Sequence, residues 1–143
     1  MKRQRITIGF DGSVYSDKAI KYVIKNFEKG SNISLVYVEE LITPVYISSP
    51  GLLTNDNMIK QIKKNATKSI SKRINFMKKN GFKADYSYRK GSPVDEIIKE
   101  AKKSKADIII VGSRGMGKWK GSILGSVSQG LAVRSPLPTL IVR

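Results

Sequence analysis

The chain has 143 residues, 27 Lys and Arg against 11 Asp and Glu, a formal net charge of +16, and neither cysteine nor histidine. That length suits one domain with a real core, so a single domain over residues 1–143 is expected. Without cysteine or histidine, disulfides, thiolate chemistry, the usual zinc ligands and any Ser-His-Asp or Cys-His triad are excluded, and most hydrolase mechanisms go with them.

The start, MKRQRITIGF, lacks the apolar core and small-residue cleavage site of a signal peptide, and no apolar run approaches the length of a membrane span. A cytoplasmic protein with no membrane partner is expected. The positive surplus attracts polyanions. Its lysines, however, are spread along several helical segments without interleaved stacking aromatics, the pattern of a solvated surface. A lysine-rich nucleic-acid or polyanion binder is the alternative reading.

In chain order, Arg5 to Phe10 alternates and then turns apolar, predicting a strand that ends at Asp11-Gly12-Ser13. Ser16-Asp17 reads as a helix start, with Ala19, Ile20, Val23, Ile24 and Phe27 at helical spacing up to Gly30. Ile33 to Val38 predicts a second strand, making a βαβ unit with a right-handed crossover. Leu41 to Asn55, broken by Pro44, Pro50 and Gly51, reads as the one long loop. From Asn57 to Asn80, Ile59, Ile62, Ala66, Ile70, Ile74 and Met77 step by three and four, predicting a long helix with that stripe in the core and its lysines in solvent.

Phe82 to Arg89 is a more polar strand, which places it near a sheet edge. Gly91-Ser92-Pro93 supplies turn, N-cap and first helical residue, followed by the stripe Val94, Ile97, Ile98 and Ala101. Ile108 to Val111 is uninterrupted and β-branched, the composition of a strand buried on both faces. Gly112 ends it. A short helix near Gly125–Arg134 and a last strand, Thr139 to Val142, complete five strands and four helices. This alternation predicts an α/β fold with a doubly wound parallel sheet and helices on both faces.

The glycines after the fourth strand fall at 112, 115, 117, 121 and 125. Backbone without Cβ approaches a ligand closely, and the free N–H groups of a helix's first turn suit phosphate. Gly112 to Lys118 matches the opening of a P-loop, but Trp119 stands where a Ser or Thr should hold Mg²⁺. A G-x-G-x-x-G reading fails at Lys120. The remaining pattern, Gly112-x-x-Gly115, nine residues, then Gly125-Ser126, resembles the nucleotide-binding signature of the universal stress protein family, and the likeness extends along nearly the whole chain.

This resemblance implies a Rossmann-like sheet of the adenine nucleotide alpha hydrolase type, order 3-2-1-4-5, and an ATP-binding regulatory or stress-response switch. The ligand would lie where Phe10–Ser13, Val38–Leu41 and Gly112–Ser128 converge. The implied nucleotide-binding residues are Phe10, Asp11, Gly12 and Ser13, with Val38 and Pro44 at the adenine. The remainder come from the glycine loop: Val111, Gly112, Ser113, Arg114, Gly115, Gly117, Gly125, Ser126, Val127 and Ser128. The Ser126 and Ser128 hydroxyls are expected to donate to phosphate, with Arg114, Lys118 and Lys120 neutralising its charge. Asp11 suits a phosphate-bound Mg²⁺ or Mn²⁺ or the ribose, but equally a turn aspartate before the first helix. With no catalytic residue in sight beyond Asp11, binding with at most slow hydrolysis is expected. The last strand implies a homodimer by edge pairing.

Overall fold

The computed structural model describes residues 2–40, 56–117 and 123–143. Its elements are β1 (Arg5–Phe10), α1 (Val14–Asn26), β2 (Asn32–Glu39), α2 (Asp56–Lys79), β3 (Lys83–Lys90), α3 (Pro93–Lys103), β4 (Ile108–Gly112), α4 (Ser126–Arg134) and β5 (Thr139–Val142). All five strands pair in parallel in the order β3-β2-β1-β4-β5. The order reverses between β1 and β4, and there the loops leaving the two strands diverge to opposite faces and open a crevice.

Two apolar layers sandwich the sheet. Ile8, Leu35 and Ile110 pack under α1 and α2 with Val23, Ile70 and Met77. Val36, Ile109 and Val111 pack on the other face under α3 and α4 with Ile97 and Leu131. The unbroken run at Ile108–Val111 follows from this: alternate side chains serve different layers, and both layers are dry.

Two expectations shift. α1 begins earlier than Ser16-Asp17, because the Ser13 hydroxyl accepts the Ser16 N–H at 3.1 Å and caps the helix there. In α2, Ile70, Ile74 and Met77 are buried, but Ile59 and Ile62 are 51% and 55% exposed. A 24-residue helix is about 36 Å long while an 8-residue strand is about 26 Å, so the first turns of α2 have little sheet beneath them. α3 starts at Pro93 after Ser92, although that hydroxyl makes no capping bond.

Arg89 ties β3 to α3. Its guanidinium reaches Glu96 at 3.1 Å and Glu100 at 2.6 Å, and Ser34 of β2 donates to the other Glu100 oxygen at 3.1 Å.

Candidate functional site

β1 delivers Asp11 to the crevice, and the chain turns at once through Gly12, whose φ of +83° is the left-handed conformation that favours glycine. The turn is closed by the Ser13 N–H donating to Asp11 Oδ1 at 2.9 Å. Oδ2 looks toward the loop after β4, where an ideal Cβ on Gly115 would lie 2.7 Å from it. A side chain at 115 would thus displace this carboxylate oxygen, the free end of the Asp11 side chain. Gly112 is under tighter constraint, since a Cβ there would sit 2.5 Å from the Tyr15 carbonyl carbon and 2.6 Å from its oxygen.

The main chain beyond β4 is fastened to the start of α4. The Gly125 N–H donates to the Ser113 oxygen at 2.7 Å, and the Ser128 hydroxyl donates toward the Ser113 and Gly125 carbonyls, each at 2.9 Å. Ser113 N–H in turn donates to Val142 of β5 at 2.7 Å. The N-cap of α4 is Gly125, extended at φ −77° and ψ 165°, so no side chain caps the helix, and its first turn carries no acid. The N–H groups of Ser126, Val127 and Ser128 consequently lack intrahelical acceptors at the positive end of the dipole.

These parts bound a cleft of about 630 Å³, within the range of small-molecule sites. Phe10 and Asp11 line it from β1, Val38 from β2, and Val111 and Gly112 from β4. Arg114, Gly115 and Gly117 supply the loop wall, and Gly125, Ser126, Val127 and Ser128 supply the helix start. Three expected residues are not in its lining. Gly12 makes the turn, Ser13 is 5% exposed and caps α1, and Ser113 is 2% exposed and anchors the loop. Pro44, Lys118, Trp119 and Lys120 lie outside the described residues. The Ser128 hydroxyl proton is engaged by main-chain carbonyls, which leaves this residue's N–H as its donor toward the cleft.

The cleft also contains residues that the sequence reading passed over. Gly9 leaves room in mid-strand, since a Cβ there would come within 2.9 Å of Ile97 Cδ1 and Val111 Cγ1. A lone glycine inside a strand was the available signal. Val36 and Ile97 resemble any core residue, Ser16, Pro93 and Gln129 carry no local mark of a site, and Glu40, Met116 and Leu124 lie within the expected converging segments without a mark of their own.

Arg114 lies 6.0 Å from the Tyr15 ring centroid, with Lys18 5.1 Å from the same ring. Burial raises the Tyr37 phenol above its ordinary pKa, assisted by the negative charges of Glu39 and Asp11. Burial also raises Tyr88, whose hydroxyl donates to Glu39 at 2.7 Å. Both phenols stay neutral at physiological pH.

Among the described residues no three His, Cys, Asp or Glu side chains come together to hold a metal. A divalent cation at Asp11 Oδ2 would need phosphate and water for its other ligands, which fits a nucleotide-borne Mg²⁺ rather than a protein-held ion. A second hollow, about 550 Å³, lies beside α3 and the end of α4 between Asp95, Lys99 and Arg134. It is away from the switch point and has no glycine-built wall.

The family model described as "Universal stress protein family" matches residues 2–143. The chain is 30% identical over 148 residues to the universal stress protein YxiE of Bacillus subtilis, covering 97% of this chain and 98% of that one. The solved structure of MJ0577 from Methanocaldococcus jannaschii superposes with a TM-score of 0.84 at 25% identity, covering 99% and 96% of the two chains. A universal stress protein family protein from Arabidopsis thaliana, solved with AMP bound, has a TM-score of 0.67 at 17% identity, covering 97% and 90%. Its likeness is one of fold.

Proposed function

The chain belongs to the universal stress protein family, and from that premise we propose that its cleft binds an adenine nucleotide, ATP foremost, as a regulatory switch. The observation that carries the reading is the uncapped start of α4, where Gly125 leaves the N–H groups of Ser126, Val127 and Ser128 facing a glycine-walled cleft. Phosphates would sit on these donors with Arg114 beside them. The base would lie toward the apolar wall of Val36, Val38 and Ile97, with the main chain of Val38 at its edge. Asp11 Oδ2 would hold the ribose or a phosphate-bound Mg²⁺ or Mn²⁺. The AMP held by the Arabidopsis relative supports the ligand class.

The proposal is binding with at most slow turnover. The carboxylates lining the cleft are Asp11 and Glu40, and Asp11 already accepts from Ser13 N–H. That N–H holds Asp11 as a turn carboxylate, and no His or Lys stands beside either group among the described lining residues to take up a proton.

Isothermal titration with ATP, ADP, AMP and cyclic nucleotides, with and without Mg²⁺ or Mn²⁺, tests the reading. Gly125→Asp is the sharpest variant. Aspartate is a preferred N-cap and the dihedrals there suit any residue, but its Cβ would lie 3.3 Å from Arg114 Cα, so the loop main chain must give by a few tenths of an ångström while the carboxylate occupies the phosphate end; an unchanged thermal melt checks that the fold is kept. ATP affinity is expected to fall at least about 100-fold, close to 2.7 kcal/mol. A flat trace for the wild-type protein at millimolar ATP, or unchanged affinity in Gly125→Asp, rejects the assignment.

We propose also that the chain forms a homodimer through β5, whose outer edge no described strand covers. Light scattering should give twice the 15.9 kDa chain mass, and a monomer at micromolar concentration rejects this.

A further inference from the structure

We propose that the outward face of α2 docks the sugar–phosphate backbone of a nucleic acid without reading its sequence, independently of the cleft. Lys60, Lys64, Lys68 and Lys72 follow one another at four-residue intervals, with Lys79 extending the row, and all are exposed. No carboxylate is paired with any of them among the described residues. The acids elsewhere are mostly engaged: Asp17 by Arg73, Glu96 and Glu100 by Arg89, and Asp107 by Arg5. Lys21, Lys25, Lys102 and Lys103 are unpaired too among the described residues, but α2 has four lysines in succession at four-residue intervals.

Like charges at i and i+4 oppose helix formation, and a helix that only meets water relieves them with interspersed Glu. From Asn57 to Lys79 there is no acid; Gln61, Asn65, Ser71 and Asn75 are neutral. Beyond Asp56, which opens α2 four residues before Lys60, the face carries no negative charge. Four residues of helix rise about 6 Å, comparable with the step between successive phosphates along a strand, and Lys60 to Lys72 spans about 18 Å. Phe76, 43% exposed, is the one aromatic in the sequence of α2, too little for base stacking to dominate. Phosphate contacts of this kind position a duplex and carry no sequence information.

An anionic bilayer fits less well. At 100° per residue, the exposed Ile59 and Ile62 are on the side of α2 roughly opposite Lys64, and the rest of the apolar face is occupied by the sheet. A surface pressing on the lysines would not meet those isoleucines.

The test is fluorescence anisotropy of a labelled duplex of about 20 base pairs, titrated with the full chain over a salt series. Wild type is compared with Lys60→Gln/Lys64→Gln/Lys68→Gln/Lys72→Gln and with a charge-matched control, Lys21→Gln/Lys25→Gln/Lys102→Gln/Lys103→Gln. The α2 variant should lose about 10-fold or more in affinity at ~100 mM salt, and its slope of log K against log salt should shrink by about three to four. The control should stay within about two-fold of wild type. Removing repulsion from α2 favours its helix, so folding is kept. ATP titration of the same variant should match wild type, which keeps this proposal separate from the nucleotide reading. Equal losses in both quadruple variants would assign binding to diffuse net charge and overturn it. So would stronger sedimentation with phosphatidylserine vesicles than binding to the duplex.

Discussion

Gly112→Val is expected to cost at least about 3 kcal/mol of folding stability, the upper range for overpacking, and to leave much of the protein unfolded or aggregated at physiological temperature. A Cβ at 112 would lie 2.5 Å from the main chain of Tyr15 in the first turn of α1, and backbone cannot rotate out of the way as a side chain can. Relief requires β4 and α1 to separate, which strains the pairing of β4 with β1 and β5 together. Urea denaturation measures the loss. Gly117→Ala, with nothing among the described residues within 4 Å of its added carbon, is the control and should be neutral. A Gly112→Val protein within about 0.5 kcal/mol of wild type would refute this packing account. Gly112 would then be a small residue for the ligand's sake, whereas the close approach makes it primarily a small residue for α1.

The second large effect is expected at Arg89. Arg89→Met keeps the aliphatic stem but removes the cation from two carboxylates whose side chains are only 11% and 9% exposed. Stripping one partner from a fully buried pair costs about 3–5 kcal/mol; with a fifth of the Arg89 side chain in water, about 2 kcal/mol is expected at neutral pH. The acid dependence makes the assignment specific. At Glu100, burial pushes the carboxyl up but hydrogen bonds from Arg89 and Ser34 outweigh it, and the group is held below its ordinary value. At Glu96, hydrogen bonds from Lys99 and Arg89 lower it.

Groups with depressed folded values contribute stability that is fully present above the unfolded carboxylate pKa of about 4.3 and is lost as pH falls through the lower folded value. Wild-type stability should therefore be nearly level from about pH 5.5 to 8, since no histidine titrates there, and should fall toward pH 3. Arg89→Met should begin lower, and the gap to wild type should close as pH drops. Thermal melts at several pH values check this, and a gap that stays constant to pH 3 would remove the Arg89–Glu96–Glu100 cluster as its source.

Nearly all of the fold was legible locally because its elements are specified by period and composition. Ile108–Val111 declared a strand wet on neither face, and it does supply both core layers. Gly91-Ser92-Pro93 marked the start of α3, and the polar third strand is indeed at the sheet edge. α2 shows where periodicity stops informing: Ile59 and Ile62 keep the helical stripe, yet whether a stripe is buried depends on how far the sheet extends beneath it.

For the site, the glycine spacing after the fourth strand located the loop, and it did so because a missing Cβ is itself a sequence fact. What each missing Cβ would meet was decided only by the folded chain: at Gly112 the Tyr15 main chain, at Gly115 the Asp11 carboxylate, at Gly9 Ile97 and Val111. Gly9, Ile97 and Ser16 reach the cleft from segments distant in sequence, and their identities are those of ordinary strand and helix residues. The order of elements and the place of the phosphate-suited loop were thus determined by the sequence itself, through side-chain periodicity and the absence of side chains. The walls of the cleft, and the capture of the Ser128 hydroxyl by main-chain carbonyls, were decided by tertiary structure alone, because they depend on distances between segments that no local pattern encodes.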